Sequence, residues 1–207
     1  TQRKKKGGTK PLGFSLGAAV TFRRTVFPMN HSVKKLTYSA FFLALTFILP
    51  FFTGQIPQIG SMLSPMHYPV MLCGFVCGGP WGLAVGFIAP ILRSLLFGMP
   101  PMFPTAIAMA FEMGAYGLFC GLFYHLSANR MRGAASVYLS LILAMLLGRA
   151  VWGAAQFVLL AVSGGAFTFS AFLAGAFINA VPAIVCQLLL VPAIVLLIER
   201  TQKAPAL

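Results

Sequence analysis

From Met102 to Tyr124 the chain runs through an apolar stretch broken by one acidic residue, Glu112. The next apolar stretch carries an arginine, Arg149, at its middle. A charge placed in hydrocarbon costs several kcal/mol even on the gentlest scale, so each must be paired or used. The chain therefore reads as a membrane protein with a polar site inside its bundle. Composition agrees: hydrophobic residues make up 59% and charged residues only 8%, a mixture that no ordinary water-soluble domain can present to water.

Six apolar segments follow one another: Tyr38–Phe52, Tyr68–Cys77, Trp81–Phe97, Met102–Ser127, Val137–Ala161 and Ala171–Leu197. The second and third are short and are separated only by Gly78, Gly79 and Pro80. Short helices are tolerable in a bilayer where protein covers the backbone groups they release. The expectation is an all-α polytopic protein of six transmembrane helices, with four or five spans and a re-entrant pair as the alternative. Its domains are a basic cytoplasmic arm over 1–35, partly amphipathic, a membrane domain over 36–200 and a cytoplasmic tail over 201–207. The start of the chain does not read as a cleaved secretory signal.

A net charge of +13 would by itself suggest nucleic acid. The distribution argues otherwise, because all but two of the 15 lysines and arginines fall in the arm, the Asn129–Gly133 connection or the tail. The alternate connections, Thr53–His67, Gly98–Pro101 and Val162–Ser170, hold none. That bias places both termini on the cytoplasmic side, beside anionic lipid, and excludes nucleic acid as the partner.

The two remaining cations, Arg93 and Arg149, lie inside apolar segments. At about 1.5 Å per residue, Glu112 lies roughly 15 Å below the outer face and Arg149 roughly 18 Å above the inner one, depths compatible with a salt bridge. Such a pair either locks two helices or faces a solute. Gln156 on the Arg149 face, Asn179 in the sixth segment and Arg93 near the outer end of the third extend the polar set. The loop before the second segment adds Gln58 and His67. Trp152 and Tyr116 can stack on a ligand or simply pack. Ala40 and Ala44 share one face of the first segment and would let another helix approach closely.

Some chemistry is absent from the sequence. There is no phosphate-binding glycine loop ending in Lys-Ser/Thr, no aspartate at all, and no convergent Ser, His and acid set. Cys73, Cys77, Cys120 and Cys186 all sit in apolar context and read as buried hydrophobes, and no metal site is expected. The chain is expected to bind or move something without converting it, and to carry no cofactor of its own.

The segments KKLTYSAFFLAL (34–45), GSMLSPMHYPVMLCGFVCGGPWGLAVGFIAPILRSLLFG (60–98), AMAFEMGAYGLFCGLFY (108–124) and GRAVWG (148–153), with GPWG at Gly79–Gly82, resemble the substrate-binding S component of energy-coupling factor transporters. The resemblance is to the group that takes riboflavin, folate, pantothenate and cobalamin. It implies six helices with both ends cytoplasmic, in the cytoplasmic membrane of a bacterium or archaeon. It also implies an alanine motif, matched here by Ala40 and Ala44, that contacts the transmembrane coupling subunit EcfT. Two cytoplasmic ATPase subunits would supply ATP and Mg, and transport would proceed by toppling of the S component. The implied vitamin site maps to Gln58–His67 and to the surroundings of Glu112, Arg149, Gln156 and Asn179. The long basic arm departs from a minimal member, and its role stays open. Arg149, with Arg93 as a possible second centre, suits a small carboxylate such as pantothenate. Cobalamin, folate, riboflavin and a pyridoxine-like solute are the alternatives. A membrane scaffold that binds no solute is the alternative class.

Overall fold

The computed structural model describes residues 31–52, 63–127, 131, 133–165 and 168–203. Gln58, Arg130, Arg132 and nearly all of the basic arm lie outside these residues. The described chain is all helical. In order come α1 (His31–Phe52), α2 (His67–Cys77), α3 (Gly79–Phe97), a π-helical turn (Met102–Ala106) leading into α4 (Ile107–Ser127), and α5 (Ala134–Val162). Then follow α6 (Phe169–Leu173), a second π-helical turn (Ala174–Ile178) and α7 (Val181–Lys203). The first helix takes in Lys34 and Lys35, so the last residues assigned to the arm are helical.

Five of these helices are long and apolar enough to cross a membrane. Their outward faces are apolar: Phe41, Leu95, Phe157 and Leu189 are each more than half exposed. In water such a surface would aggregate, whereas in lipid it is the required one. The protein is a polytopic membrane protein.

Two of the six expected spans depart from the expectation. The Tyr68–Cys77 segment forms an 11-residue helix, α2. At the helical rise it is about 16 Å long, half of a hydrocarbon core of about 30 Å. It is also among the most enclosed elements, packed against α1, α3, α4 and α7. Its far end turns at Gly78, whose φ of 100° and ψ of 164° only glycine adopts without strain. This turn lies against Gly121, six residues before the end of α4, which places it about 9 Å inside that end.

The second departure is in Ala171–Leu197, which is not one helix. The π-turn ends as the Asn179 amide donates to the Ala174 carbonyl at 2.9 Å, and α7 starts afresh at Val181. Pro182 explains the break, because it has no N–H for the Ile178 carbonyl and its ring would crowd that group in a continuous helix. At the second position of α7 both defects are harmless.

The core is built by close backbone approach. A Cβ on Gly82 would fall within 2.8 Å of the Gly117 backbone, and Gly74, Gly79 and Gly86 meet α4 in the same way. Small residues that let backbones touch hold helices together by dispersion where lipid removes the hydrophobic drive. At the far end, the Ser127 hydroxyl lies 2.5 Å from that of Ser136 and 3.2 Å from that of Ser140, tying α4 to α5. The Tyr124 hydroxyl donates to Glu199 and ties α4 to α7.

Candidate functional site

Glu112 projects from α4 into the middle of the bundle and is buried. Its Oε1 stands 3.0 Å from Arg149 Nη1 of α5 and accepts the Tyr116 hydroxyl, also at 3.0 Å. Its Oε2 faces His67 Nε2 of α2 at 3.8 Å. Tyr116 sits one turn after Glu112, and its ring meets the His67 ring edge-on at 5.4 Å. Gly148 makes room for this arrangement, since a methyl group there would land on the Tyr116 ring. His67, Glu112, Tyr116 and Arg149 thus form one buried cluster contributed by three helices.

The cluster lies at the first residue of α2, a helix that begins partway through the bundle. The positive end of the α2 dipole therefore faces the same region as the Glu112 carboxylate, an arrangement that stabilises negative charge. Discontinuous helices that place a terminus near the midplane are a recurrent way to build solute sites in membranes.

Hydrogen bonding in the cluster is incomplete. Among the described residues, buried side-chain nitrogens and oxygens without a hydrogen-bond partner belong to His67, Arg149, Gln156 and Gln187. On Arg149 the unpartnered atoms are Nε and Nη2, which make the two-pronged edge of the guanidinium. Leaving such groups unsatisfied costs about 1–3 kcal/mol each, and more for charged ones.

The remaining residues expected at the site are dispersed. Arg93 is buried at the end of α3, where Nη1 donates to the Phe47 carbonyl at 3.4 Å and the guanidinium lies over the rings of Phe51 and Phe97. These contacts are with α1 and with its own helix. Trp152 stacks on Phe172 of α6, with centroids 6.3 Å apart, and packs against Gly175. Gln156 is half-buried on α5, with its side-chain oxygen enclosed. Asn179 is exposed in the turn before α7. Ala40 and Ala44 are both exposed on the outer face of α1, opposite the buried Ser39, Phe42 and Thr46.

Sequence reasoning missed Gln187. It is fully buried on α7, and neither amide atom has a partner among the described residues. A lone amide in an apolar run was the available signal, the same one that picked out Gln156. Among the described residues no group of three His, Cys, Asp or Glu side chains is placed to hold a metal ion.

Fold and site together define a multi-pass membrane protein whose bundle encloses a partly satisfied polar cluster. The family described as ECF transporter, substrate-specific component, matches residues 34–195, and the chain belongs to it. No curated protein and no solved structure matches the chain. Membership makes it the membrane-embedded, substrate-binding and non-catalytic component of such a transporter. It also implies association in general with the coupling subunit EcfT and the ATPase subunits.

Proposed function

We propose that this chain captures a water-soluble vitamin bearing a carboxylate, with pantothenate as the lead, for uptake driven by ATP hydrolysis on partner subunits. The observation that carries the reading is the Nε–Nη2 edge of Arg149, buried and unpartnered while Nη1 is held by Glu112. Glu112 fixes the guanidinium plane, and the free edge offers two parallel N–H donors that match a carboxylate. His67 adds one donor and one acceptor beside it, suited to a hydroxyl or amide of the same solute.

In this reading the bundle has six membrane passes with both ends cytoplasmic. The half-length α2 counts as the second pass, and Gln58, outside the described residues, is proposed among the solute contacts. The exposed Ala40–Ala44 face of α1 receives EcfT, and two ATPase subunits bind ATP and Mg. The basic arm lies on anionic lipid. A scaffold without a solute would be favoured by the Glu112–Arg149 pair alone, because such a pair can lock two helices. The orphaned guanidinium edge favours the solute instead.

Native mass spectrometry of the gently purified chain, with pantothenate added, tests the reading. A 1:1 adduct that disappears in Arg149→Met supports it. An unchanged mass with pantothenate, together with a different co-purified vitamin, would move the substrate to cobalamin, folate, riboflavin or a pyridoxine-like compound. No adduct from any vitamin would return the scaffold.

A further inference from the structure

The inward face of α7 is a stripe of small apolar residues with one exception. Ala183, Val191 and Val195 are buried in register, preceded by Ala176 in the π-turn and Ala180 just before the helix, and between Ala183 and Val191 stands Gln187, with no exposed surface. Both ends of its amide lack a hydrogen-bond partner among the described residues. A glutamine that locked helices together would spend its amide on a neighbouring backbone or side chain. This one does not.

Its depth matches that of the ionic cluster. The Tyr124 hydroxyl of α4 donates to Glu199 of α7, which fixes the register of these two helices. Glu112 lies twelve residues before Tyr124 and Gln187 twelve residues before Glu199, so both stand about 18 Å from that contact along their helices. The α7 helix packs on α2 and on α5, the helices that carry His67 and Arg149. Gln187 therefore enters the bundle between the elements that bear the cluster, at the level where α2 begins.

We infer that Gln187 is a second solute anchor, reading an uncharged amide of a molecule whose carboxylate rests on Arg149. The inference rests on the solute-binding reading given above. The two anchors ask for different chemistry. Arg149 offers only donors, whereas Gln187 offers a donor and an acceptor in one plane, the complement of an amide group. Gln187 thus discriminates among acids of equal charge, since a site built to hydrogen-bond a polar group rejects analogues that lack it far more strongly than an apolar pocket rejects a missing methylene.

The test uses the full chain in detergent, solute-free, as wild type, Gln187→Met and Arg149→Met, with pantothenate and with pantoate, which keeps a carboxylate and hydroxyls but has no amide. In Gln187→Met the affinity for pantothenate should fall about 10–100-fold while that for pantoate changes by less than about 2-fold, the loss expected for one buried hydrogen-bonding group. Arg149→Met should lose both acids. The solute-free melting temperature of Gln187→Met should stay level or rise by about 2–4 °C, because a buried amide with no partner is replaced by an apolar chain of similar length. A clear drop in that temperature makes Gln187 a structural lock and overturns the inference, as does wild-type affinity of Gln187→Met for pantothenate. If the wild type binds neither acid, the carboxylate reading of Arg149 falls. The melting temperature then decides Gln187 alone: a level or raised value upholds a solute contact of other chemistry, and a lowered value removes it.

Discussion

Glu112 is held on three sides, by Arg149, by Tyr116 and at longer range by His67. Removing one member of a buried ion pair leaves the other uncompensated and costs about 3–5 kcal/mol, whereas removing both costs less. Glu112→Gln should therefore lower the melting temperature sharply, and Glu112→Gln/Arg149→Met should recover part of the loss. A double-mutant cycle on thermal unfolding in detergent measures the coupling, and strictly additive losses would mean that the two side chains do not interact. Tyr116→Phe removes only the hydroxyl that donates to Glu112. It should cost about 1.5–3 kcal/mol, the range for hydrogen bonds to charged groups, with the ring packing against Gly148 retained. The pairing of Glu112 with Arg149 was legible from the sequence because two charges in adjacent apolar runs came out at compatible depths. The shared use of one carboxylate oxygen by Arg149 and Tyr116 was not legible, because tyrosine in a membrane span reads equally well as packing.

Among the helices, the glycine contacts between α3 and α4 set the geometry. At Gly117 any β-carbon meets the Gly82 backbone, so Gly117→Val must push two helices apart. Overpacking of this kind typically costs about 1–3 kcal/mol, and here it acts on backbone that cannot rotate away. A control is Gly133→Ala, where φ is 73° but nothing lies within 4 Å of the added methyl. It should cost only local backbone strain of about 1–3 kcal/mol, because its φ of 73° and ψ of −143° lie near a region that is essentially reserved for glycine. Gly117→Val should shift or broaden the size-exclusion profile while Gly133→Ala keeps the wild-type one, and a wild-type profile for Gly117→Val would refute the close-packing account. The recess of α2 was half legible: Gly78, Gly79 and Pro80 announced a short helix, yet only the structure shows that it begins at the level of Glu112. The break before α7 escaped notice because the composition stays apolar through Asn179, although Pro182 was there to mark it. The sequence places Asn179 in the outer half of the sixth segment, and the structure has it exposed in the turn that precedes Pro182.

At the scale of the whole molecule, the proposed function puts solute capture and energy coupling on separate surfaces. The cluster lies among α2, α4 and α5, while Ala40 and Ala44 face outward on α1. Ala40→Trp should therefore leave pantothenate affinity within about 2-fold of wild type, as expected for a surface change away from the site. It should also abolish uptake in vesicles that contain EcfT and the ATPase subunits. Uptake at the wild-type rate would remove that face from the partner interface.

The half-length of α2 has an electrical consequence. A cluster at the mouth of a helix that starts midway lies across about half of the bilayer, so an anion that reaches it from outside crosses about half of the transmembrane voltage. Moving one charge through the full field is worth about 2.3 kcal/mol per 100 mV, so with the interior negative a monocarboxylate loses about 1.1 kcal/mol of binding per 100 mV. In the proposed orientation, affinity in a vesicle held at about 100 mV, interior negative, should then be about sevenfold weaker than in detergent, and collapsing the potential with an ionophore should restore it.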